Sequence, residues 1–287
     1  MNAEAGTKSR ALLLSKSDDD VNAGLALLSL ILPGSHAASS SSTRSFQIFD
    51  CGWDYRAICV NDTAVRVARR DDIFPKLSRE PELLSFISEV SSISVPRMIV
   101  PIPGVAIYPW IEGERVDRLS NTAIGQLADL LLGLRRISPF SDMRRASEQD
   151  ESEPDRLTRH LRLAETIGLE SDEFNVVNGA AVDRSWSQFV PVRVHGDLTA
   201  DHILVDRDGS ISGIIDWSDS KLGDPALDIA GIYSDFDIVA AQQVLAAYCA
   251  SDFVDERAED LWPRVLFRAA WGTLIEQLHD RLPGHPL

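Results

Sequence analysis

The sequence predicts an α+β protein with two lobes, a small one built on an antiparallel sheet and a larger one that is mainly helical. Between residues 46 and 70, β-rich runs alternate with the turn signals Asp50-Cys51-Gly52 and Asn61-Asp62. Beyond residue 113 most segments carry apolar residues at helical spacing instead. This change of period along the chain predicts a small sheet lobe followed by a larger helical lobe.

The small lobe is predicted over residues 1–108 and ends in a hinge. Its expected elements are an amphipathic first helix over Val21–Leu32, an antiparallel sheet of the five-stranded type, and one packed helix that starts at a Ser78 cap. A last strand from Val105 runs into the Pro-containing connection Tyr108–Gly113. A cleft beside such a hinge is where a small ligand is expected to bind.

The large lobe is predicted over residues 109–287. An Asn121 cap opens a helix with a strongly apolar face, and the acidic stretch Ser147–Asp155 is interpreted as a solvated loop. Short β-rich runs lie between residues 190 and 217, and helix-period segments close the chain.

Composition limits the classes of partner. With 44 acidic and 28 basic residues, the formal net charge of −16 disfavours nucleic acid and favours a cationic ligand. Three cysteines without a C-x-x-C pair indicate reduced thiols, and the apolar run Val21–Leu32 is too short to span a bilayer. We therefore expect a cytoplasmic monomer that binds no membrane.

Acidic and histidine side chains surround two apolar runs, "VHGDLTADHILVD" (Val194–Asp206) and "GIIDW" (Gly213–Trp217). Strands ending in Asp197 and Asp216, joined by the turn "DRDGS", would place both carboxylates at one end of a hairpin, with His202 between them. Oxygen ligands with one nitrogen suit Mg²⁺ better than zinc. Asp197 is the candidate base that orients a hydroxyl for phosphoryl transfer.

Two other interpretations of these residues stay open. Aspartates of this kind also form turns and caps with no catalytic role. Alternatively, His195, Asp197, His202 and Asp216 could form the metal cluster of a hydrolase.

The motifs "HGDLTADHILVD", "ISGIIDW" and "LGDPALDIA", in this order, resemble those of the aminoglycoside phosphotransferase family. The stretch "GWDYRAICVNDTAVRVARR" is similar to the branch that holds 2''-aminoglycoside and macrolide kinases, and the resemblance spans roughly residues 46 to 280. It implies a protein-kinase-like bilobal fold that binds ATP or GTP with Mg²⁺ and phosphorylates a hydroxyl of a small molecule.

Roles in the large lobe follow from this resemblance. It makes Asp197 the catalytic aspartate, and Asp216 and His202 the metal ligands, although His202 stands where the family usually has Asn. His195 is expected to be buried and to shape the loop. Asp224 is expected to bond the catalytic loop, and Asp228 to cap the helix that follows.

In the small lobe the resemblance implies a nucleotide-binding set. Arg66 stands where the family usually has the lysine that holds the phosphates, and Glu80 stands where a helix glutamate pairs with it. Arginine keeps the positive charge of lysine, but its planar guanidinium group differs in shape from the compact lysine ammonium. Arg66 could instead be a solvated surface residue. The other expected nucleotide-binding residues are Gly52 and Trp53 at the phosphate turn, and Ile107, Tyr108 and Trp110 at the hinge.

The acceptor is expected to lie between Asp197 and the last helices. The net charge favours an aminoglycoside, whose ammonium groups acidic side chains could bind. Candidates are Asp235, Asp237, Glu256 and Glu276. A macrolide would need apolar surface, which Phe236, Trp262, Phe267 and Trp271 could supply. A metabolic kinase for a small alcohol and a pseudokinase without turnover are further alternatives.

Overall fold

The computed structural model describes residues 3–31, 46–50, 54–137, 152–183 and 185–283. Its contacts divide the chain into two compact units. The smaller unit combines residues 1–89, 94–112 and 213–218, and the larger unit combines residues 90–93, 113–212 and 219–287. Gly52 and Trp53 lie outside the described residues.

The smaller unit is built on a five-stranded antiparallel sheet in the order β1-β2-β3-β5-β4. Its strands are β1 (Gln47–Phe49), β2 (Tyr55–Val60), β3 (Thr63–Ala68), β4 (Ile99–Ile102) and β5 (Val105–Pro109). Its helices are α1 (Ala3–Leu13), α2 (Asp18–Ile31) and α3 (Phe74–Val90).

The first two helices cover the sheet. Leu13, Leu25 and Leu28 are fully buried in one cluster with the inward-facing residues Ile58 and Val65 of β2 and β3. Burying apolar surface of this kind contributes roughly 25 cal/mol per Å² and holds the sheet in register. The helix predicted over Val21–Leu32 is confirmed as α2, whereas α1 was not predicted.

Helix α3 begins four residues before the predicted Ser78 cap. A 3₁₀ turn over Asp71–Ile73 leads into the helix at Phe74, and Pro75 falls in its first turn. Proline is favoured there because the first turn needs no backbone N–H donor. The earlier start places Glu80 in the second turn of α3, where it is buried.

The larger unit is mainly helical. Its helices are α4 (Asn121–Arg136), α5 (Glu153–Thr166), α6 (Asp172–Asp183), α7 (Ala226–Asp235), α8 (Ile238–Cys249) and α9 (Ala258–Arg281). The remaining strands of the chain form two short pairs, β6 (Val192–Val194) with β9 (Lys221–Gly223), and β7 (Ile203–Val205) with β8 (Ile211–Ile214). Trp186, Phe267 and Trp271 anchor one core cluster of this unit.

Two predicted helix boundaries are corrected. The cap of α4 is Ser120, whose hydroxyl accepts the Ala123 N–H at 3.0 Å, and Asn121 is the first helical residue. The acidic stretch is only partly a loop, because Ser152 caps α5 and Glu153 to Asp155 form its first turn. Acidic residues are favoured at that position by the helix dipole. Residues 147–151 of the stretch lie outside the described residues.

The predicted hairpin is also corrected. The turn "DRDGS" joins β7 to β8, while the strand before Asp197, β6, pairs with β9. The short run of residues between Asp197 and β7 turns through a 3₁₀ segment, Ala200–His202, and this turn separates the two strands that were expected to pair. In the described part of the chain, no helix has the length and apolar character needed to cross a bilayer.

Candidate active site

Arg66 and Glu80 form a buried ion pair in the smaller unit. Arg66 lies on β3, and its Nη1 donates to both carboxylate oxygens of Glu80 on α3 at 3.0 Å. The two side chains are 6% and 2% exposed, so the solvated surface arginine that was left open is excluded. Burial opposes the charge of Arg66, but the carboxylates of Asp216 and Glu80 raise its pKa above the usual range. The guanidinium is therefore a permanent cation at this place.

Asp216 meets the same guanidinium. Its Oδ1 accepts a short contact from Arg66 Nη2 and a 2.9 Å bond from the Ser218 hydroxyl. Its backbone is left-handed, with φ of 60°. Such a conformation is uncommon outside glycine and concentrates at functional positions. Trp217 is buried beside it, and its indole N–H donates to the Ile214 carbonyl at 3.0 Å.

The three hinge residues lie along the end of β5. Ile107 and Tyr108 pair with Val65 and Ala64 of β3. The Trp110 N–H donates to the Asp62 carbonyl at 2.8 Å. Since Pro109 has no N–H, neither Pro109 nor Trp110 offers a free backbone donor to a purine in this conformation. The Trp110 backbone N–H, expected at the hinge to bind nucleotide, is thus already taken by Asp62.

The predicted catalytic loop, in the larger unit, starts at His195, which is fully buried. The Asp197 N–H donates to His195 Nδ1 at 3.2 Å. Because Nδ1 accepts this bond, the neutral ring carries its proton on Nε2. His195 thus holds the loop from inside, as its expected role requires, while the Asp197 carboxylate is 49% exposed.

Asp228 fixes the same loop from helix α7. Its two carboxylate oxygens accept the backbone N–H groups of His195 at 2.8 Å and Gly196 at 2.9 Å. Burial raises the pKa of Asp228 to about 6, and the two N–H bonds oppose that rise. Asp228 lies within α7 rather than capping it, so its predicted role is wrong.

Asp224, which was expected to bond the catalytic loop, is bound elsewhere. Its carboxylate accepts Arg264 Nε at 3.2 Å and Arg268 Nε at 3.3 Å, and it also accepts the Ala226 N–H at 3.0 Å. It therefore ties the start of α7 to α9. The expectations for Asp224 and Asp228 were exchanged, because spacing alone does not tell which aspartate of "GDPALD" faces the loop.

Glycine is required at two contacts with this loop. Gly196 has φ of +92°, and an added Cβ would lie 2.3 Å from the Asp219 carbonyl oxygen. Gly231 of α7 packs directly on the loop, where a Cβ would lie 2.3 Å from the Leu198 carbonyl oxygen. A side chain at either position would displace backbone. The Asp197 backbone is consequently held from both sides.

His202 folds back onto Asp197. Its Nδ1 lies 2.8 Å from the Asp197 carbonyl oxygen, 3.2 Å from the Thr199 hydroxyl and 3.5 Å from Asp197 Oδ2. A carbonyl oxygen can only accept, so Nδ1 carries a proton and the lone pair of the neutral ring lies on Nε2. The His195 and His202 rings stack with centroids 5.9 Å apart.

The carboxylate of Asp216 is chemically suited to a magnesium ion that also takes oxygens from a nucleotide. Mg²⁺ usually takes one or two carboxylates and completes its shell with water and phosphate. Among the described residues no group of three or more His, Cys, Asp or Glu side chains is arranged to hold a metal. The four-residue cluster of the hydrolase alternative is not found there.

A pocket of about 460 Å³ opens beside Asp197 in the larger unit. Residues 196–199 of the loop, helix α7 and helix α9 contribute to its wall. Of the four acidic acceptor candidates, Asp235 and Glu276 line it. Asp237 instead caps α8 through the Ala240 N–H, and Glu256 pairs with Arg264 at 2.7 Å.

The aromatic candidates for a macrolide site divide in a similar way. Trp271 lines the pocket, whereas Phe267 is buried against Trp186 with centroids 5.1 Å apart. Trp262 contacts Tyr233 edge to face. The sequence missed four charged lining residues, Glu153, Arg156, Lys221 and Arg268. The Ser152 cap followed by acidic residues was the signal that could have placed Glu153 and Arg156 on a helix.

Replacing Asp228 should weaken the loop. In Asp228→Asn one of the two loop N–H groups faces an amide NH₂ and loses its acceptor, which should cost about 1–3 kcal/mol of unfolding free energy. Denaturant unfolding measures this cost. Asp255→Asn, at an exposed position elsewhere in the larger unit, serves as a control.

The pH dependence of the same variant gives a second readout. The pKa of Asp228 is about 4 in the unfolded chain and about 6 in the folded protein. Between these two pH values the folded state keeps a proton that the unfolded state has released. The stability contributed by Asp228 is therefore complete below this window and falls as pH rises through it. The Asp228→Asn variant should not show this loss of stability as pH rises. If its stability changes with pH in the same way as that of the unchanged protein, the buried carboxyl of Asp228 is not the cause of the loss.

Comparison with known proteins identifies the family. The model of the phosphotransferase enzyme family (APH) matches residues 45–266. A Bacillus subtilis (strain 168) protein, the uncharacterized protein YcbJ, is 23% identical over 206 residues, which cover 63% of this chain and 67% of that protein.

Solved structures with the same fold include two kinds of antibiotic kinase. The GDP complex of aminoglycoside 2'-phosphotransferase-IIIa superposes with a TM-score of 0.65 at 19% identity, covering 84% of this chain and 88% of that one. Macrolide 2'-phosphotransferase type I superposes with a TM-score of 0.63 at 20% identity, covering 85% and 93%. These likenesses confirm the predicted fold class. Because the family model matches most of the chain, residues 45–266, the chain belongs to the phosphotransferase enzyme family.

Proposed function

We propose that this chain transfers the γ-phosphate of ATP or GTP to a hydroxyl of a small, amine-bearing molecule, with aminoglycosides as the first acceptor class to test. The observation that carries the proposal is Asp197, a half-exposed carboxylate on a loop anchored by His195 and Asp228 and lining a pocket of about 460 Å³. Phosphoryl transfer depends on holding the reacting groups in position, and a rigid loop supplies this.

Asp197 orients the acceptor hydroxyl and accepts its proton as the phosphorus–oxygen bond forms. Arg66, fixed by Glu80, binds phosphate oxygens, and its planar fork suits that contact. On the family resemblance we keep Asp216 and His202 as the proposed Mg²⁺ ligands; when bound, the metal would supply charge neutralisation for the phosphates. Transfer is direct and in line, so no phosphoenzyme forms.

The bond between Arg66 and Asp216 has a consequence for nucleotide binding. Asp216 Oδ1 is engaged by Arg66 Nη2 and by Ser218. With nucleotide and metal bound, the Asp216 carboxylate would serve as a metal ligand and the Arg66 guanidinium would bind phosphate oxygens. Glu80 keeps Arg66 in place, because it bonds the other nitrogen, Nη1.

Several observations support an amine-bearing acceptor. Asp235 and Glu276 are exposed and line the pocket. The chain carries a net charge of −16, which attracts cations over a long range. Two 2''-aminoglycoside kinases with a similar fold have been solved in complexes, one with GDP and kanamycin and the other with ATP and streptomycin. These relatives also motivate testing both nucleotides.

A macrolide is the second candidate acceptor. Trp271 lines the pocket, and the macrolide kinases share the fold. The other three aromatic candidates, Phe236, Trp262 and Phe267, are not among the residues that line the pocket. A single aromatic face is less apolar area than a large macrolactone ring would need.

A panel of acceptors tests the proposal. The purified protein is incubated with Mg²⁺, ATP or GTP, and one aminoglycoside, macrolide or small amino alcohol at a time. Phosphorylated acceptor, identified by mass, is the expected product. Nucleotide binding without any phosphorylated acceptor, and hydrolysis equal to that of Asp197→Ala, would favour the pseudokinase alternative.

A further inference from the structure

The pocket beside Asp197 carries both signs of charge. Its anionic side chains are Glu153, Asp197, Asp235 and Glu276. Its cationic side chains are Arg156, Lys221 and Arg268. The four negative and three positive groups nearly cancel, in contrast to the −16 of the whole chain. A surface made for a polycation would carry a clearer excess of acid.

Two of the cations are already paired within the protein. Arg268 donates to Glu153 at 3.2 and 3.1 Å and to Asp224 at 3.3 Å. Arg156 lies 3.7 Å from the same Glu153 carboxylate. Glu153 is therefore neutralised by its own neighbours. It is not a strong candidate for binding an ammonium group.

Lys221 is different. Within the part of the chain that the structure describes, its ammonium makes no hydrogen bond and no ion pair, although Glu153 and Asp219 are close enough to act on its charge. Burial, the largest effect, lowers the pKa of Lys221. A partly desolvated cation without a close partner is costly, and an anion beside it would recover that cost.

The position of Lys221 is fixed by the strand pair that carries the catalytic loop. On β9, Lys221 is opposite Val194 of β6, three residues before Asp197. The Ser220 hydroxyl donates to the Val194 carbonyl at 2.7 Å. The lysine stem lies over Gly223, where an added Cβ would be 3.9 Å from Lys221 Cε. Lys221 and Asp197 thus line one pocket from two tied strands.

We propose that Lys221 binds a carboxylate of the acceptor, so that the acceptor is a hydroxyl compound carrying both an ammonium and a carboxylate group. The carboxylate pairs with Lys221, the ammonium faces Asp235 or Glu276, and the hydroxyl reaches Asp197. This inference rests on the proposed phosphoryl transfer and narrows its acceptor. A purely cationic aminoglycoside would leave Lys221 unpaired and should be a poorer acceptor than such a zwitterion.

Matched acceptor pairs test the role of Lys221 directly. The probes are homoserine and homoserinamide, then glucosaminic acid and glucosaminitol, with kanamycin as a polycation. Dissociation constants come from calorimetry, and transfer is followed by product mass with Mg²⁺ and each nucleotide. At least one of the two zwitterionic acids should bind roughly tenfold or more tightly than its cationic partner that lacks the carboxylate, as expected for a hydrogen bond between charged groups.

Variants separate this effect from damage to the fold. Lys221→Met should abolish the preference for the acid while leaving nucleotide binding unchanged, and Lys221→Arg should keep most of it. Lys16→Met, an exposed lysine of the smaller unit, is the control. Melting temperatures of all three variants are measured alongside.

The outcomes distinguish the two proposals. Equal binding of the acids and their carboxylate-free partners, no measurable binding of either acid at millimolar concentration, or a preference that survives in Lys221→Met would each overturn the role of Lys221. If an acid binds through Lys221 but no phosphorylated product forms with any nucleotide, the anion site stands and the proposed phosphoryl transfer fails.

Discussion

Asp197→Asn should abolish most phosphoryl transfer while leaving the fold and nucleotide binding intact. The amide is nearly the same size as the carboxylate but cannot accept the hydroxyl proton, so kcat should fall by about 10²–10⁴-fold. The loop should keep its shape, because the bonds to His195 and His202 Nδ1 use the Asp197 backbone N–H and carbonyl. Steady-state rates with an accepted substrate measure the effect.

Asp201→Asn is the matched control for this variant. Asp201 lies in the same loop region and pairs with Arg115, but both side chains are largely exposed. Its kcat should stay close to that of the unchanged protein, since exposed ion pairs contribute little. Retention of more than about a tenth of the rate in Asp197→Asn would remove Asp197 from the catalytic role, because general-base effects are much larger.

Arg66→Met should have the largest effect on stability. Methionine fills much of the space but leaves the Glu80 carboxylate, 2% exposed, without its cation. Breaking one side of a buried ion pair costs about 3–5 kcal/mol. Nucleotide affinity should fall as well, since the phosphate-binding cation is gone. Denaturant unfolding and nucleotide titration measure the two losses separately.

Two further variants divide stability from function. Arg66→Met combined with Glu80→Met should recover much of the lost stability, because the buried Glu80 carboxylate is removed and Asp216, 34% exposed, remains accessible to water. Nucleotide binding should nevertheless stay weak. The Arg66→Lys variant keeps a positive charge on its ammonium group and should retain part of the affinity for nucleotide. A double variant that binds nucleotide as well as the unchanged protein would show that Arg66 serves the fold alone.

The sequence predicted the fold best where a period or a paired motif extended over many residues. The sheet strands and α2 follow from β-rich runs and a long apolar stretch, and the family resemblance implied the pair that Arg66 and Glu80 form. Helix starts were displaced because capping depends on local geometry. Ser120, not Asn121, accepts the first free N–H, and Pro75 opens α3 ahead of Ser78.

The site was less predictable where long-range packing decides a role. Asp228 binds the catalytic loop because α7 packs Gly231 against Leu198, a contact that no local pattern encodes. Lys221 lines the pocket because β9 pairs with β6, whereas spacing had suggested a different hairpin. An isolated charge in a short strand carries no periodic signal, so its exposure follows only from the pairing.

The most direct measurement of the central claim is a product balance in a single turnover. Protein in excess is mixed with Mg²⁺, γ-labelled ATP or GTP and an acceptor, and the label is followed by mass. Direct transfer predicts that each nucleoside diphosphate formed is matched by one labelled acceptor, with no labelled protein. Label appearing only as inorganic phosphate, at a rate independent of acceptor, or on the protein itself, would contradict the account.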